Sequence, residues 1–216
     1  MTAPPTVPHW RVLVPIKALK SAKQRLSGHH VSSSELALAF GLDVITATRQ
    51  CAAVARVIVV TEDPVVSREA EALGALVVTE QDESLKSGRA GLNDAIRQAE
   101  CFAGSTGVSS AIAVVTADLP TLRPGLLASL LDHASGLDRS FVADHLGSGT
   151  SILCTSSGLP IEPRFGAGSA EAHRRSGARD LSSVADPCLR LDVDTQEDLA
   201  AALELGVGPH TAALLA

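Results

Sequence analysis

The stretch Ala111-Ile112-Ala113-Val114-Val115-Thr116-Ala117-Asp118-Leu119-Pro120 decides how this chain folds. Residues 111–116 form a continuous apolar and β-branched run, the pattern of a strand buried on both faces of a parallel sheet. The run ends on an aspartate, and a proline two residues later turns the chain. Open α/β sheets bind ligands in the crevice outside the carboxyl ends of their strands, so Asp118 is expected to face such a crevice. Leu191-Asp192-Val193-Asp194-Thr195, after the short run from Cys188, reads the same way. In an extended chain Asp192 and Asp194 project to one side. Three carboxylates converging on one crevice repel one another unless a cation neutralises them. Oxygen-only donors favour a hard ion such as Mg²⁺, which usually arrives with phosphates. The plainer alternative is that each aspartate merely caps a turn or a helix.

Working outward, Arg11 to Ile16 reads as a first strand stopped by Pro15, Arg56 to Thr61 as a second and Ala75 to Thr79 as a third. Ser32-x-x-Glu35 has the spacing of a capping box and opens a helix with Leu36, Phe40 and Val44 on one face. Pro64 starts a helix that Gly74 ends, Leu92 to Phe102 is helical, and Pro124 opens another helix. Ser140 to Asp144 and Thr150 to Cys154 are short strand candidates. Ser169 starts a short helix, and Thr195-x-x-Asp198 caps a last one carrying Leu199, Ala202 and Leu203. Strands alternating with helices predict one α/β domain over 1–216, with a mostly parallel central sheet flanked by helices. Residues 1–9 are expected to be a disordered tail, and 140–190 an insertion that builds an acceptor pocket.

The chain has 216 residues, enough for a full core, with 18 basic and 24 acidic residues and a formal net charge of -6. That balance argues against a nucleic-acid partner but not against a small anionic substrate, because a local basic loop can dominate its own site. The cysteines Cys51, Cys101, Cys154 and Cys188 form no close pair, which disfavours a zinc site and suits thiols in a reducing compartment. The N-terminus lacks an apolar signal core and no stretch is long enough to span a membrane, so a cytoplasmic location is expected.

Three further groups could carry chemistry. Lys17, Lys20, Lys23 and Arg25 fall within nine residues directly after the first strand. Lys17, Lys23 and Arg25 could hold a triphosphate, or could be a solvated cationic helix start. The glycine-rich P-loop and the G-x-G-x-x-G fingerprint are absent there. Gly147-Ser148-Gly149-Thr150 and Arg164-Phe165-Gly166-Ala167-Gly168-Ser169 are glycine-rich, so backbone N–H groups could approach an anion, and Ser169 and His173 share a helical face. The alternative is an ordinary surface loop. Asn93 near a helix start is by default a cap and could instead bond a base or ribose. Arg174, Arg175 and Arg179 read as a solvated face. The other histidines, His29 and His30 among them, have no arguable partner.

Taken in order, Pro-Ile-Lys-x-Leu-x-x-Ala-Lys-x-Arg-Leu, Gly-Leu-Asn, Ala-Asp-Leu-Pro, Gly-x-Gly-Thr, Arg-Phe-Gly-x-x-Ser-x-x-x-His and Asp-Val-Asp-Thr resemble the guanylyltransferases of coenzyme F-420 biosynthesis over about residues 10 to 210. The actinobacterial members use phosphoenolpyruvate and the archaeal ones 2-phospho-L-lactate. The resemblance implies the nucleotide-diphospho-sugar transferase (Rossmann-like) fold. It implies that Thr150, Gly166 and Ser169 bind the acceptor, and that Asp118, Asp192 and Asp194 hold Mg²⁺. Between Gly166 and Ser169 this chain reads Ala-Gly where the family pattern is Pro-Asp, a difference that bears on loop rigidity.

The expected reaction is transfer of GMP from GTP to the acceptor phosphate with release of pyrophosphate. Asp118, Lys17 and Lys23 are the expected catalytic groups. Lys17, Lys23, Arg25 and Asn93 are the expected nucleotide contacts. With phosphoenolpyruvate the product would be enolpyruvyl-2-diphospho-5'-guanosine, passed on to the transferase that takes the guanylylated product. A cytidylyl- or sugar-nucleotide transferase, or a non-catalytic nucleotide-binding protein, would be compatible with the same fold.

Overall fold

The computed structural model describes residues 10–19, 26, 31–79, 91–105 and 110–216. Strands β1 (Trp10–Pro15), β2 (Val54–Val60), β3 (Leu76–Val78), β4 (Ala111–Val115), β5 (Arg139–Ala143), β6 (Thr150–Thr155) and β7 (Arg179–Asp180) form one sheet in the order β3-β2-β1-β4-β6-β5-β7. Helices α1 (Ser33–Gln50), α2 (Pro64–Ala72), α3 (Leu92–Ser105), α4 (Pro124–Ala134), α5 (Ser169–Arg175), α6 (Gln196–Leu205) and α7 (Pro209–Leu215) flank it. β6 runs antiparallel to both neighbours, and every other pairing is parallel. The mostly parallel α/β sheet expected from the sequence is therefore present. Segment 140–190 contributes β6 and β7 to that same sheet, as well as α5. Among the described residues no helix is long and apolar enough to cross a membrane.

The alternation of side chains along β1 builds two cores. Trp10, Val12 and Val14 pack on one face with Val44 and Ile45 of α1, Val66 of α2 and Leu127 and Leu131 of α4. Leu13 faces the other way, with Ile96 and Ala99 of α3, Phe141 of β5 and Ala170 of α5. Both faces of β1 and β4 are thus covered, which is why their sequences are apolar at every position but Arg11.

The local signals behave as their physics requires. Ser32 and Glu35 close the capping box of α1, and Thr195 and Asp198 close that of α6. Pro64 sits in the first turn of α2, with Asp63 capping it and Gly74 beyond it at φ 78°. Elsewhere the chain departs from expectation. The run before Asp192 is not a strand. Pro187–Leu189 is a single 3-10 turn, because Pro187 brings no N–H for a ladder and the Asp186 carboxylate accepts from the Cys188 N–H at 2.9 Å. The last helix, α7, has no side-chain cap of its own. Its N-terminus is held from across the fold by Asp43 of α1, which accepts from the N–H groups of His210 at 2.8 Å and Thr211 at 3.0 Å.

This topology gathers the chemistry on one edge. β1, β2 and β4 are parallel, so their carboxyl ends lie together. β6 runs the other way, so its first residue, Thr150, reaches that same edge. The Thr116 N–H donates to the Ser151 carbonyl at 3.0 Å, which places the start of β6 beside the turn that carries Asp118. Ala143, the last residue of β5, pairs with Thr150 and brings Asp144 to the same place.

Candidate active site

A cavity of about 300 Å³ opens at this edge, lined by Lys17, Thr116, Asp118 and Asp194 among polar residues and by Ile16, Phe40 and Leu92 among apolar ones. A second cavity of about 220 Å³ shares Pro15, Ile16 and Lys17 and extends past Thr61, Glu62 and Gly91. The exposed Lys17, two residues beyond β1, therefore stands between two adjoining hollows, a suitable position for a cation that meets phosphates. The Thr116 hydroxyl is buried in the wall of the first cavity and has no hydrogen-bond partner among the described residues. An orphaned hydroxyl of this kind is a free donor or acceptor beside whatever the cavity holds. Lys23 and Arg25, the other expected phosphate ligands, lie outside the described residues.

The aspartates converge, but not as three equal donors. The Val193 N–H donates to the Asp118 carbonyl at 3.0 Å, fastening the 190–194 segment onto the turn after β4. Asp118 and Asp194 then line the same cavity. Asp192 instead meets His145: its Oδ1 is 2.9 Å from His145 Nδ1, while His145 Nε2 is 3.3 Å from Asp198 Oδ1. Burial raises the pKa of Asp192, and the negative charges of Asp118 and then Asp144 raise it further, against the lowering effect of the His145 hydrogen bond. The carboxylates are therefore close enough to repel one another. Among the described residues no group of three or more His, Cys, Asp or Glu side chains is arranged to hold a metal ion by itself. Asp194 lines the first cavity while Asp192 is held by His145, so these two near neighbours in sequence have different surroundings. His145 had no partner in the sequence reading, because both of its carboxylates lie about fifty positions away along the chain.

The two glycine-rich loops have different jobs. The N–H groups of Ser148 and Gly149 already donate to the Asp144 carboxylate, at 2.9 and 2.7 Å. Residues 147–149 thus wrap a resident carboxylate instead of opening toward an incoming anion. Gly149 is required for that wrap, since a Cβ there would lie 2.3 Å from Asp144 Oδ2. The second loop brings Gly166 and Gly168 to φ 132° and 71°, where other residues are strained. It leads into Ser169, whose hydroxyl donates to Thr150 Oγ1 at 3.1 Å. His173 Nδ1 lies 3.0 Å from the same oxygen. Thr150 of β6 with Ser169 and His173 of α5 thus form one buried cluster, as the shared helical face of Ser169 and His173 suggested.

Asn93 is tied to the second glycine loop. Its amide donates to the Phe165 carbonyl at 3.0 Å and accepts from the Phe165 N–H at 2.8 Å. It pins the start of α3 to the second glycine loop, which makes it a clamp on that loop. Arg174 and Arg175 pair with Glu171 on an exposed helix face, the solvated surface the sequence suggested.

A mostly parallel sheet with a cation and carboxylates around a cavity at its carboxyl edge is an architecture suited to holding a phosphorylated ligand. The same fold is seen in a candidate nucleotide-diphospho-sugar transferase from Desulfovibrio desulfuricans, with a TM-score of 0.68 at 17% identity over 95% of this chain and 93% of that one. It is seen again in 4-diphosphocytidyl-2C-methyl-D-erythritol synthase, with a TM-score of 0.62 at 16% identity over 91% and 97%. The family is more specific: the chain belongs to the CofC-like guanylyl transferases, whose family model matches residues 10–216. It is 45% identical over 209 residues to the phosphoenolpyruvate guanylyltransferase of Streptomyces scabiei, covering 96% of each chain. The resemblance and the fold drawn from the sequence motifs are both upheld.

Proposed function

We propose that this enzyme transfers GMP from GTP to the phosphate of phosphoenolpyruvate, releasing pyrophosphate and forming enolpyruvyl-2-diphospho-5'-guanosine. Family membership supports the reaction. The observation that carries the chemistry is that Lys17, Asp118 and Asp194 wall one cavity, next to the strand that Thr150 begins.

The acceptor phosphate is anionic at neutral pH and attacks the α-phosphorus without first losing a proton. The protein therefore needs no general base, and its work is positioning and charge neutralisation. Lys17 stabilises negative charge on the departing pyrophosphate, with Lys23 and Arg25 assigned to the same task. Thr150, Gly166 and Ser169 form the acceptor side, whose loop Asn93 holds in place through Phe165. Asp118 and Asp194 suit a hard divalent ion, most simply Mg²⁺, because such an ion takes one or two carboxylates and completes its shell with phosphates and water. Burial and then the negative charge of Asp118 raise the Asp192 pKa, and the second of these fits a site built around a cation. When bound, the ion would neutralise charge on the phosphates as they react. Asp192, whose carboxylate His145 holds, would be the third acidic group beside the ion. The enzyme would act in the cytoplasm and pass its product to a transferase that consumes it.

Pyrophosphate release tests the reading. It should require GTP, a divalent ion and phosphoenolpyruvate or 2-phospho-L-lactate, and should fall to background with CTP, UTP or ATP. Equal turnover with CTP, or release without either acceptor, would overturn it.

A further inference from the structure

His173 is fully buried and held between two rings, with Phe141 at 5.9 Å and Phe165 edge-on at 5.3 Å between centroids. Its Nε2 lies 2.9 Å from the backbone nitrogen of Arg164. A backbone N–H can only donate, so Nε2 must present a lone pair, and a neutral ring then carries its proton on Nδ1. Burial, together with the nearby charges of Arg139 and Arg164, pushes the His173 pKa down to about 4, so the ring is neutral at physiological pH.

The consequence falls on Thr150. Its Oγ1 receives the His173 Nδ1–H at 3.0 Å and the Ser169 hydroxyl at 3.1 Å. A hydroxyl oxygen has two lone pairs, and both are now filled. The Thr150 O–H has one role left, that of a donor in a third direction. Thr150 opens β6 beside the turn that carries Asp118, at the reacting edge of the sheet. The Ser169 N–H is also committed, donating to the Gly166 carbonyl at 3.1 Å.

We infer that His173 is a positioning residue for the acceptor: its Nδ1–H, with the Ser169 hydroxyl, fixes the Thr150 O–H as a donor aimed at the anionic acceptor. The inference rests on the reading that the acceptor binds at Thr150. Ser169 then acts largely through Thr150, since its own hydroxyl proton is spent inside the cluster. A ring that presented Nδ1 as an acceptor would let the Thr150 proton turn inward and leave a lone pair facing an anion.

Two amide substitutions separate this role from simple packing. In His173→Asn the side-chain N–H can occupy the place of Nδ1 and keep the donor to Thr150. In His173→Gln the amide reaches the place of Nε2 and that donor is lost. Pyrophosphate release is measured with phosphoenolpyruvate and GTP varied in turn, alongside Thr150→Val and the Thr150→Val/His173→Gln double variant, with melting curves for each protein. His173→Gln should raise the acceptor KM about tenfold, the effect of one hydrogen bond to a charged partner, and leave the GTP KM within about twofold. His173→Asn should recover most of the loss. The double variant should be no worse than Thr150→Val, because both act through one hydroxyl.

Equal damage in the Asn and Gln variants, or additive effects in the double variant, would overturn the inference. If Thr150→Val raises the acceptor KM but His173→Gln does not, the inference fails and the acceptor reading survives. If Thr150→Val leaves the acceptor KM unchanged, the acceptor reading itself fails. Should His173→Gln not fold, His173→Asn decides alone: an acceptor KM near wild type supports the role, and one as high as that of Thr150→Val refutes it.

Discussion

Replacing Asn93 by alanine separates a clamp from a nucleotide ligand. The wild-type amide makes two hydrogen bonds to the Phe165 backbone, at 3.0 and 2.8 Å, in a partly buried setting. Each is worth roughly 1 kcal/mol net, so their joint loss costs about 2 kcal/mol. For a chain of this size that lowers the melting temperature by about 4–8 °C. The functional damage should be one-sided. Phe165 precedes Gly166, so loosening it shifts the acceptor loop and raises the acceptor KM by about three- to tenfold, whereas the GTP KM stays within twofold. Asn93→Asp should be worse in stability than its size suggests, because an ionised carboxylate cannot donate to the Phe165 carbonyl and would face it instead. Differential scanning fluorimetry and two-substrate kinetics read both effects. A raised GTP KM with an unchanged acceptor KM and an unchanged melting temperature would refute the clamp and restore Asn93 to the nucleotide.

Asp118→Asn and Asp194→Asn should each lower kcat at least about a hundredfold and raise the Mg²⁺ concentration needed for half activity, as removal of a charged ligand requires; near-normal turnover in either would end the metal assignment. Asp43→Ala leaves two donors at the start of α7 without their buried acceptor, at a cost of about 2–4 kcal/mol, which urea unfolding and faster amide exchange in 209–215 should report. Protonation of His173 makes stability depend on pH. Its folded pKa, about 4, lies below the ordinary 6.5, so the unfolded chain binds more protons between those values and stability falls as pH drops through that window. The loss between pH 7.5 and 5 is about 2 kcal/mol, and urea midpoints for wild type and His173→Asn should differ in slope across that range; parallel slopes would show that the ring is not held neutral by the fold.

What could be read from the sequence was whatever depends on near neighbours. The strand at 111–115, and the 57–60 half of the strand at 54–60, declare themselves by unbroken apolar character, because both faces are covered. Ser32 with Glu35 and Thr195 with Asp198 fix two helix starts three residues apart, within reach of local pattern. Asp118 was legible from the buried strand just before it taken together with the basic loop and the second acidic motif, since an aspartate before a turn is by itself common as a cap. The rest depends on partners far along the chain. Nothing near Asn93 announces Phe165, and nothing near His145 announces Asp192 and Asp198. The helix at 209–215 is short, and its cap comes from Asp43, so its own residues carry little signal.

The glycines show most clearly why composition alone misleads at this site. Gly149 and Gly166 looked alike in the sequence, each able to bring backbone N–H groups to an anion. The first loop has its anion built in. The Asp144 carboxylate takes the Ser148 and Gly149 donors and leaves no room for a Cβ, so that loop braces the start of β6 and fixes where Thr150 begins. The second loop is tied at its two ends, by Phe165 to Asn93 and by Ser169 to Thr150, with open space around Gly166. A rigid brace on one side and a tethered but open loop on the other suit a site that must keep one hydroxyl aimed while a small anion enters and a larger one leaves. The division predicts different outcomes for the same substitution. Gly149→Ala must displace Asp144 or the strand and should destabilise the whole fold. Gly166→Ala meets only the strain of its φ of 132° and should act chiefly on the acceptor KM. Equal melting temperatures for the two variants would show that the Asp144 wrap is not what holds the edge of the sheet in place.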